Sequence, residues 1–377
     1  MIPSHKIVLA VCFLLLLFFL LGKQNTYWEK QRTESDIKFK ADSCKAEIGR
    51  ILFFDPILSL GRKKSCSSCH NPDFAFTDGY RRSFGLETER VKRNSPSLVN
   101  ASAYRFFNLA NSDLHTLEKQ ILHPLFLNHP IEMGTALDKD NILVNVMNNE
   151  LYSQLFKLAY NEWPASKIGW EEIIECLAEY IKKLRSYDSP YDCFITTGDS
   201  SYLSREALEG MLLFYSDKTH CSHCHSGINF SVAASERATQ QNSFANTGLY
   251  NIQGENGYPA IDKGIYNLSK NKADDGLFRI PSLRNLAFTA PYYHDGSATT
   301  LSEVIDNYAH GGRDFANGPI AGDGSRHPTK HPFISGFRMN EKEKQALAAF
   351  LLSLSDSTIL YNSYFRPPQE QSQPNSY

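Results

Sequence analysis

The chain has 377 residues, which is enough for two domains of ordinary size and an additional N-terminal segment. Hydrophobic residues make up 42% and charged residues 21%, a composition typical of globular proteins and unlike that of disordered chains. The formal net charge is −2 and there is no long basic run, so the sequence gives no electrostatic reason to expect binding to nucleic acid.

The N-terminus has the composition of a targeting segment. An apolar run at 7–21 follows Lys6, which suits either a signal peptide or a short membrane anchor. No small-x-small cleavage site precedes Lys23, which favours the anchor. We therefore expect residues 1–23 to direct export and residues 24–41 to form a polar tether. The rest should lie in the periplasm, soluble or tethered to the inner membrane.

Helical spacing of apolar residues and capping side chains predict the first elements. Apolar residues close to helical spacing at 44–54 begin the first globular unit. A helix with one apolar face is predicted at 171–187. It should stop at Ser189-Pro190, because proline disfavours a helical conformation in the residue before it. Ser204 is predicted to cap a further helix through Phe214.

The remainder of the chain combines loops with one more helix. Residues 226–275 are rich in Gly, Asn, Ser and Ala with weak periodicity, so we expect long loops there. Asn340 and Glu343 form a capping-box pattern that predicts a last helix. We therefore divide the chain into an N-terminal unit at 42–195, a C-terminal unit at 196–358 and a tail at 359–377, whose proline-rich end is expected to be disordered.

The same order of motifs occurs twice along the chain. Each copy has a Cys-x-x-Cys-His motif, then Pro-Ser-Leu, then Thr-Leu. In the first copy these are Cys66 to His70, Pro96-Ser97-Leu98 and Thr116-Leu117; in the second they are Cys221 to His225, Pro281-Ser282-Leu283 and Thr300-Leu301. The separation from proline to threonine nearly matches, which indicates that one structural unit is used twice.

Cys-x-x-Cys-His is typical of c-type haem attachment. The spacing lets two thiols bond the two vinyl groups on one edge of the porphyrin, while the histidine binds the iron. A zinc site and a reversible dithiol are the alternatives, but neither requires a histidine directly after each cysteine pair. We therefore predict two covalent haems, one held by Cys66, Cys69 and His70, the other by Cys221, Cys224 and His225.

Five further stretches occur in order between Asp42 and Leu354. They are GRILFFD at 49–55, RNSPSL at 93–98, PIEMG at 130–134, FRIPSLRN at 278–285 and TAPYYHDG at 289–296. Through them the chain resembles the bacterial di-haem cytochrome c peroxidase and MauG family. The resemblance implies an all-α fold of two cytochrome c-like domains, each with one haem. It also implies reduction of hydrogen peroxide with electrons from a small redox protein, a cytochrome c or a cupredoxin.

The resemblance implies a glutamate and a glutamine beside the N-terminal haem, which match Glu132 and Gln120. A carboxylate there can take a proton from one peroxide oxygen and return it to the other, and an amide can orient the peroxide. From the residues alone, the two would be a solvated loop acid and a helix-surface residue. Ordinary peroxidases of the family often carry a blocking histidine after the first haem motif. Residues 71–93 contain none, so we expect an open or water-ligated iron.

At the C-terminal haem the family places its second protein ligand in the helix after the second Thr-Leu. This ligand is methionine in many peroxidases and tyrosine in MauG, and the resemblance assigns it to Tyr308 here. A phenolate stabilises ferric iron relative to a thioether. His310 and Met339 are the alternatives.

Two further features are implied by the family. A tryptophan between the haems normally carries electrons, but residues 106–113 contain no tryptophan, which leaves Tyr104, Phe106 and Phe107 as candidates. A calcium ion lies between the haems in the family. Its protein ligands match the Asn94 side chain and the backbone carbonyls of Thr289 and Pro291, and oxygen ligands of this kind suit calcium.

Several alternatives stay open at this point. Peroxide could instead oxidise a residue of a partner protein, as in MauG, or the chain could be a non-catalytic electron carrier. Cys176 and Cys193 could form a disulfide or remain free, and Cys44 has no evident partner. The oligomeric state is not determined by the sequence, and a homodimer is one of the open states.

Overall fold

The computed structural model describes residues 42–87, 89–160, 167–253 and 257–368. The predicted export segment at 1–23 and tether at 24–41 lie outside these residues. Within the described part, no helix is long and apolar enough to cross a membrane.

The described chain is mostly helical, as predicted. The helices of the N-terminal half are α1 at 42–54, α2 at Leu117–Phe126, α3 at Lys139–Asn148, α4 at Glu150–Ala159, α5 at Trp170–Lys183 and α6 at Pro190–Thr197. Those of the C-terminal half are α7 at Arg205–Phe214, α8 at Cys221–Cys224, α9 at Gln240–Ser243, α10 at Tyr266–Ser269, α11 at Leu301–His310, α12 at Glu341–Leu352 and α13 at Thr358–Tyr361.

Two short antiparallel ladders depart from a purely helical fold. Strand β1 at Phe244–Ala245 pairs with β2 at Phe278–Arg279, and β3 at Asp314–Phe315 pairs with β4 at Gly322–Asp323. Each strand has only two residues, so in the described part of 226–275 the long-loop prediction is correct apart from β1, the single turns α9 and α10, and two 3-10 turns at Val232–Ala234 and Lys272–Asp274.

The predicted helix caps are confirmed, whereas the predicted end of one helix is wrong. The Ser204 side chain accepts from the backbone N–H of Ala207, and Asn340 forms the expected capping box with Glu343. Helix α5 ends at Lys183, not at 187. Pro190 is the first residue of α6, because a helix needs no N–H donor in its first turn.

Both halves contain a pair of helices in the same close contact. A Cβ on Gly49 of α1 would lie 1.8 Å from the carbonyl oxygen of Cys176 in α5. A Cβ on Gly210 of α7 would lie 1.9 Å from the carbonyl oxygen of Ala346 in α12. In each half, the helix before the Cys-x-x-Cys-His motif therefore packs through a glycine against a later helix of the same half. The repeat seen in the sequence is thus also a repeat of structure.

A separate hydrophobic core lies behind each helix pair. The larger, N-terminal core includes Leu52, Phe53, Phe156, Leu177 and Tyr180; the C-terminal core includes Phe214, Phe230, Leu347, Phe350 and Leu354. Ile359 and Phe365 belong to the N-terminal core, although the sequence analysis assigned them to a tail. The chain therefore returns to the N-terminal half after α12, because these apolar side chains find a buried site there.

A buried polar network joins the two halves. Asn100 and Asn285 follow the two Pro-Ser-Leu motifs at matching positions. The backbone N–H of Ser186 donates to Oδ1 of Asn100 at 3.0 Å, and its hydroxyl donates to Oδ2 of Asp356 at 2.9 Å. The backbone N–H of Asp356 donates to Oδ1 of Asn285 at 2.9 Å. Ser186 thus connects the two halves at equivalent points.

Candidate haem sites

The two motif histidines share a hydrogen bond to a backbone carbonyl. Nδ1 of His70 lies 3.0 Å from the carbonyl oxygen of Phe76, and Nδ1 of His225 lies 3.1 Å from that of Phe230. A carbonyl oxygen only accepts, so Nδ1 carries the proton in both rings and Nε2 presents a lone pair. Burial lowers the pKa of both histidines, that of His225 to about 4. A buried neutral imidazole with a free Nε2 suits an iron ligand.

The Pro-Ser-Leu motifs hold the loops that carry these acceptors. The hydroxyl of Ser97 donates to the carbonyl of Ala75, and that of Ser282 donates to the carbonyl of Asn229, both at 2.6 Å. Each of these carbonyls lies one residue before the one that accepts from the histidine. In each repeat, the serine of the Pro-Ser-Leu motif thus holds the loop whose carbonyl accepts from the histidine. The spacing of the motifs alone does not reveal this role.

The four motif cysteines are unpaired thiols in the structure. Burial raises the pKa of Cys66 to about 12 and that of Cys224 to about 11, so both are neutral near pH 7. In the described residues no group of three or more His, Cys, Asp or Glu side chains could hold a metal ion. This arrangement does not fit a zinc site, whereas neutral thiols beside a free imidazole fit a thioether-linked haem. Cys44, Cys176 and Cys193 are also unpaired.

A cavity of about 290 Å³ lies beside the second motif. Cys221, Cys224 and His225 line it together with Tyr308 from α11 and the apolar side chains Leu301, Ile305, Leu347 and Leu351. Burial raises the pKa of the Tyr308 phenol well above its usual value, so the hydroxyl is neutral unless a cation binds it.

The alternatives to Tyr308 are placed differently. His310 is exposed, and its Nδ1 bonds to the carbonyl of Gly312 at 2.9 Å. Met339 packs against the C-terminal core. Neither is among the residues found to line the cavity, whereas Tyr308 is. Ligation of iron by Tyr308 stays a prediction.

Arg279 supplies an independent test of whether this cavity fits a haem. It is 6% exposed, and its guanidinium lies over the Tyr104 ring, 3.4 Å from the centroid. Its Nε and Nη1 atoms have no hydrogen-bond partner in the described structure, and Arg279 lines the same cavity as His225. Burying a guanidinium with two unpaired nitrogen atoms is costly, so the site favours an anion. The propionate carboxylates of a haem meet this requirement, and the residues therefore fit the group.

Glu132 is held in place by the backbone on both sides of it. The carbonyl of Ile131 accepts from the N–H of Leu86 at 2.9 Å, and the N–H of Met133 donates to the carbonyl of Pro124 at 3.1 Å. The side chain is half-buried. Burial raises the pKa of its carboxyl above the usual value, and the positive charge of Lys64 offsets part of this rise.

Lys64 links the Glu132 region to the first haem motif. Its Nζ lies 3.8 Å from Sγ of Cys69 and donates to the carbonyls of Phe84 and Gly85. The latter residues immediately precede Leu86, which pairs with the Glu132 loop. No sequence motif marks this lysine, because the carbonyls that it contacts lie about 20 residues further along the chain.

Gln120 lies on α2, one turn before Pro124. Its Oε1 accepts from Nδ2 of Asn108 at 3.0 Å, and no hydrogen bond to Glu132 is found among the described side chains. The two predicted distal residues are thus connected through the α2 backbone, by the Pro124–Met133 hydrogen bond, and not directly.

The aromatic candidates for electron transfer occupy different surroundings. Phe107 packs against the N-terminal core, as does Cys66. Tyr104 shares a small cluster with Cys224, and its hydroxyl accepts from the N–H of Ser282 at 2.7 Å. Phe106 lies in a third cluster, away from both motifs. Tyr104 is therefore associated with the second haem motif, and Phe107 with the core of the N-terminal half.

The predicted calcium ligands line one cavity. Asn94, Thr289 and Pro291 all border the cavity that contains His225. The backbone N–H of Asn94 donates to the carbonyl of His294 at 2.7 Å, which ties the first half to the second beside this point. The three residues border one cavity, and the ion stays a prediction.

Two Cys-x-x-Cys-His sites with neutral imidazoles, each associated with a matching helix pair, are typical of c-type cytochromes with two haems. A sequence model of the family described as di-haem cytochrome c peroxidase matches residues 43–201. The chain is 30% identical over 331 residues to the cytochrome-c peroxidase IdrP2 of Denitromonas iodatirespirans, covering 83% of this chain and 82% of that protein. It is 29% identical over 313 residues to the methylamine utilization protein MauG of Methylorubrum extorquens, covering 82% and 78%.

A solved structure is similar over the same region. The crystal structure of a MauG-like protein associated with microbial copper homeostasis superposes with a TM-score of 0.82 and 38% sequence identity, covering 86% of this chain and 93% of that chain. The chain belongs to the di-haem cytochrome c peroxidase and MauG family. It is an oxidoreductase of the cytochrome-c peroxidase class, and the family implies two c-type haems.

Proposed function

We propose that this protein reduces hydrogen peroxide to two molecules of water at the haem on His70. The two electrons come from a partner protein and pass by way of the haem on His225. The observation that carries the proposal is Glu132, a half-buried acid with a raised pKa beside the first haem motif. A raised pKa makes this carboxyl a better general acid–base group than a fully solvated glutamate.

The proposal assigns one haem to each half of the chain. Residues 42–195 and 196–358 then form two cytochrome c-like domains, with Cys66 and Cys69 bonded to one haem and Cys221 and Cys224 to the other. The matching helix contacts at Gly49 and Gly210 support this division. We also propose that residues 1–23 direct export and that the protein works in the periplasm.

Each haem, when bound, supplies an iron centre that exchanges single electrons. The protein residues supply positioning and proton transfer. His70 would hold the iron through Nε2, and residues 71–93 contain no histidine that could compete with peroxide for it. Glu132 would take a proton from one oxygen of peroxide and deliver it to the other as the O–O bond breaks, which releases that oxygen as water. Gln120, fixed by Asn108, orients the far oxygen.

A second candidate function differs in the source of the electrons. In a MauG-like reaction, a side chain of a partner protein is oxidised in place of a small redox protein. Two observations favour this candidate: Tyr308 lines the cavity of His225, where many peroxidases of the family have methionine, and the structural neighbour at 38% identity is described as MauG-like. A phenolate ligand would stabilise the ferric state of that haem.

We further propose one calcium ion held by the Asn94 side chain and the carbonyls of Thr289 and Pro291. An ion bound at this point would join the two halves and stabilise the folded state by its binding free energy. Removing it with a chelator should lower the melting temperature of the holoprotein. Asn94→Ala should have the same effect, and the chelator should then lower the melting temperature no further.

The electron donor distinguishes the two candidates. The holoprotein is mixed with hydrogen peroxide and either reduced cytochrome c, a reduced cupredoxin, or a periplasmic extract from the source organism. Catalytic oxidation of a small redox protein supports the first candidate. Peroxide-dependent mass change in one extract protein supports the second. His70→Gly is the control and should abolish both reactions. If peroxide is not consumed with any of the three, the protein is an electron carrier and the proposal is wrong.

A further inference from the structure

The two iron-binding histidines differ in one neighbour. The residue before Pro96 is Ser95, and the residue at the matching position before Pro281 is Ile280. Both are buried, with exposures of 5% and 6%. The two halves therefore place side chains of opposite polarity at the same point of the repeat, directly beside the loop that carries each histidine.

The Ser95 hydroxyl lies within hydrogen-bond distance of His70. Its Oγ is 2.6 Å from the carbonyl oxygen of Cys69 and 3.2 Å from Nδ1 of His70. Since a carbonyl only accepts, the hydroxyl proton points to Cys69. A lone pair of Oγ then faces the Nδ1–H of His70, which already donates to the carbonyl of Phe76.

The carbonyl of Pro96 also acts as an acceptor toward His70, so the Ser95 hydroxyl is an acceptor in addition to backbone carbonyls. His225 has the two equivalent carbonyl acceptors, Phe230 and Pro281, but Ile280 offers no hydroxyl. Acceptors at Nδ1 pull the proton away from the ring and increase the electron density at Nε2. An outer hydrogen bond of this kind fixes the ring and strengthens the histidine as an iron ligand. Stronger donation by the axial ligand stabilises ferric iron and lowers the reduction potential.

We propose that Ser95 is a positioning residue that makes His70 a stronger iron ligand than His225. The hydroxyl, oriented by the Cys69 carbonyl, accepts from Nδ1–H of His70, an interaction that His225 lacks. This distinguishes the peroxide-reactive haem from the electron-entry haem within a duplicated unit. The inference rests on the attachment of haem at both motifs and deepens the proposed function of the first one.

The test compares Ser95→Ala with the parent, both as full-length holoprotein with two haems. In Ser95→Ala, the iron–histidine stretching frequency of the ferrous N-terminal haem should fall, as measured by resonance Raman spectroscopy. Its reduction potential should become more positive, as measured by spectroelectrochemistry. Both values for the C-terminal haem should stay at those of the parent. The kcat/KM for peroxide should fall about tenfold, as is common for outer-shell variants.

Two further variants separate hydrogen bonding from packing. Ser95→Thr keeps the hydroxyl and should keep the parent frequency and potential. Ile280→Ala removes a buried side chain at the matching position without removing a hydrogen bond, and should leave the stretching frequency of the haem on His225 unchanged. Position 280 shows that this point of the fold accepts an apolar residue, so Ser95→Ala is expected to fold.

The inference is overturned if Ser95→Ala leaves the frequency and potential of the N-terminal haem at the parent values. It is also overturned if Ile280→Ala shifts the frequency of its own haem by as much, since packing would then explain both. Failure of the proposed function is a separate result: the parent protein would then not react with peroxide. The spectroscopic comparison does not depend on that reaction.

Discussion

Replacing Glu132 with glutamine isolates proton transfer from everything else at the first haem. Glutamine has nearly the same shape, and the backbone hydrogen bonds on either side of position 132, to Leu86 and Pro124, do not involve the side chain. The variant should therefore fold and bind both haems. What it loses is the ability to take a proton from one peroxide oxygen and return it to the other.

The expected loss of kcat/KM in Glu132→Gln follows from the burial and the raised pKa of Glu132. Burial raises the pKa of Glu132 towards the working pH, where a general acid–base residue is most effective. Such residues contribute about 10²- to 10⁴-fold to a rate, which corresponds to roughly 3–5 kcal/mol of transition-state stabilisation. The kcat/KM for peroxide should fall by this factor, while the visible spectra of both haems are retained.

Stopped-flow mixing of the oxidised protein with peroxide measures this step directly. Glu89→Gln is the matched control, because Glu89 is an exposed glutamate of the same half and should have no effect on the rate. If Glu132→Gln reacts with peroxide as fast as the parent and as Glu89→Gln, Glu132 does not transfer the proton and its assigned role is wrong.

Three more predictions follow from single contacts. In Lys64→Met the pKa of Glu132 should rise further, because the lysine charge that lowers it is gone. Since Glu132 must be ionised to accept the first proton, the acid limb of the plot of kcat/KM against pH should move to higher pH. An unchanged pH profile would show that the Lys64 charge does not act on Glu132. Tyr308→Met should raise the reduction potential of the C-terminal haem, because a thioether stabilises ferric iron less than a phenolate does; an unshifted potential in spectroelectrochemistry would exclude Tyr308 as the ligand. Asp192→Asn should destabilise the protein by about 2 kcal/mol in urea titrations, because it breaks the ion pair with Arg284. The loss should be smaller than for a fully buried pair, since the Asp192 side chain is 16% exposed whereas that of Arg284 is 2% exposed. Burial alone would raise the pKa of Asp192, but hydrogen bonds from Arg284 and Ser189 hold it below the usual value. A depressed folded-state pKa stabilises the protein above the unfolded pKa, so this destabilisation should be full at neutral pH and diminish below about pH 4; a pH-independent difference would refute it.

Local chemistry explains what could be predicted of the fold. Ser204 and Asn340 were found as helix caps because a cap is a contact between residues three apart, which sequence spacing displays directly. The end of α5 was misplaced because Pro190 was taken to end one helix, whereas it begins the next. The burial of Ile359 and Phe365 was missed, since it depends on a core formed by residues much earlier in the chain.

The residues of the candidate site also divide into those that the sequence predicts and those that only the structure reveals. The two Cys-x-x-Cys-His motifs are contiguous, and the sequence therefore identified them without help from the fold. Tyr308 could be associated with His225 only through the family resemblance, and the structure places both at one cavity. Ser95, Lys64 and Arg279 act through contacts between distant segments, such as the guanidinium of Arg279 over the ring of Tyr104. No spacing rule reveals contacts of that kind.

The spin state of the two ferric haems tests the central claim most directly. Electron paramagnetic resonance of the purified oxidised protein should show one high-spin signal, from an iron with His70 as its sole protein ligand, and one low-spin signal from the haem on His225. The high-spin signal should disappear on addition of peroxide. Two low-spin signals that peroxide leaves unchanged would contradict the account, because neither iron would then have a position open to peroxide.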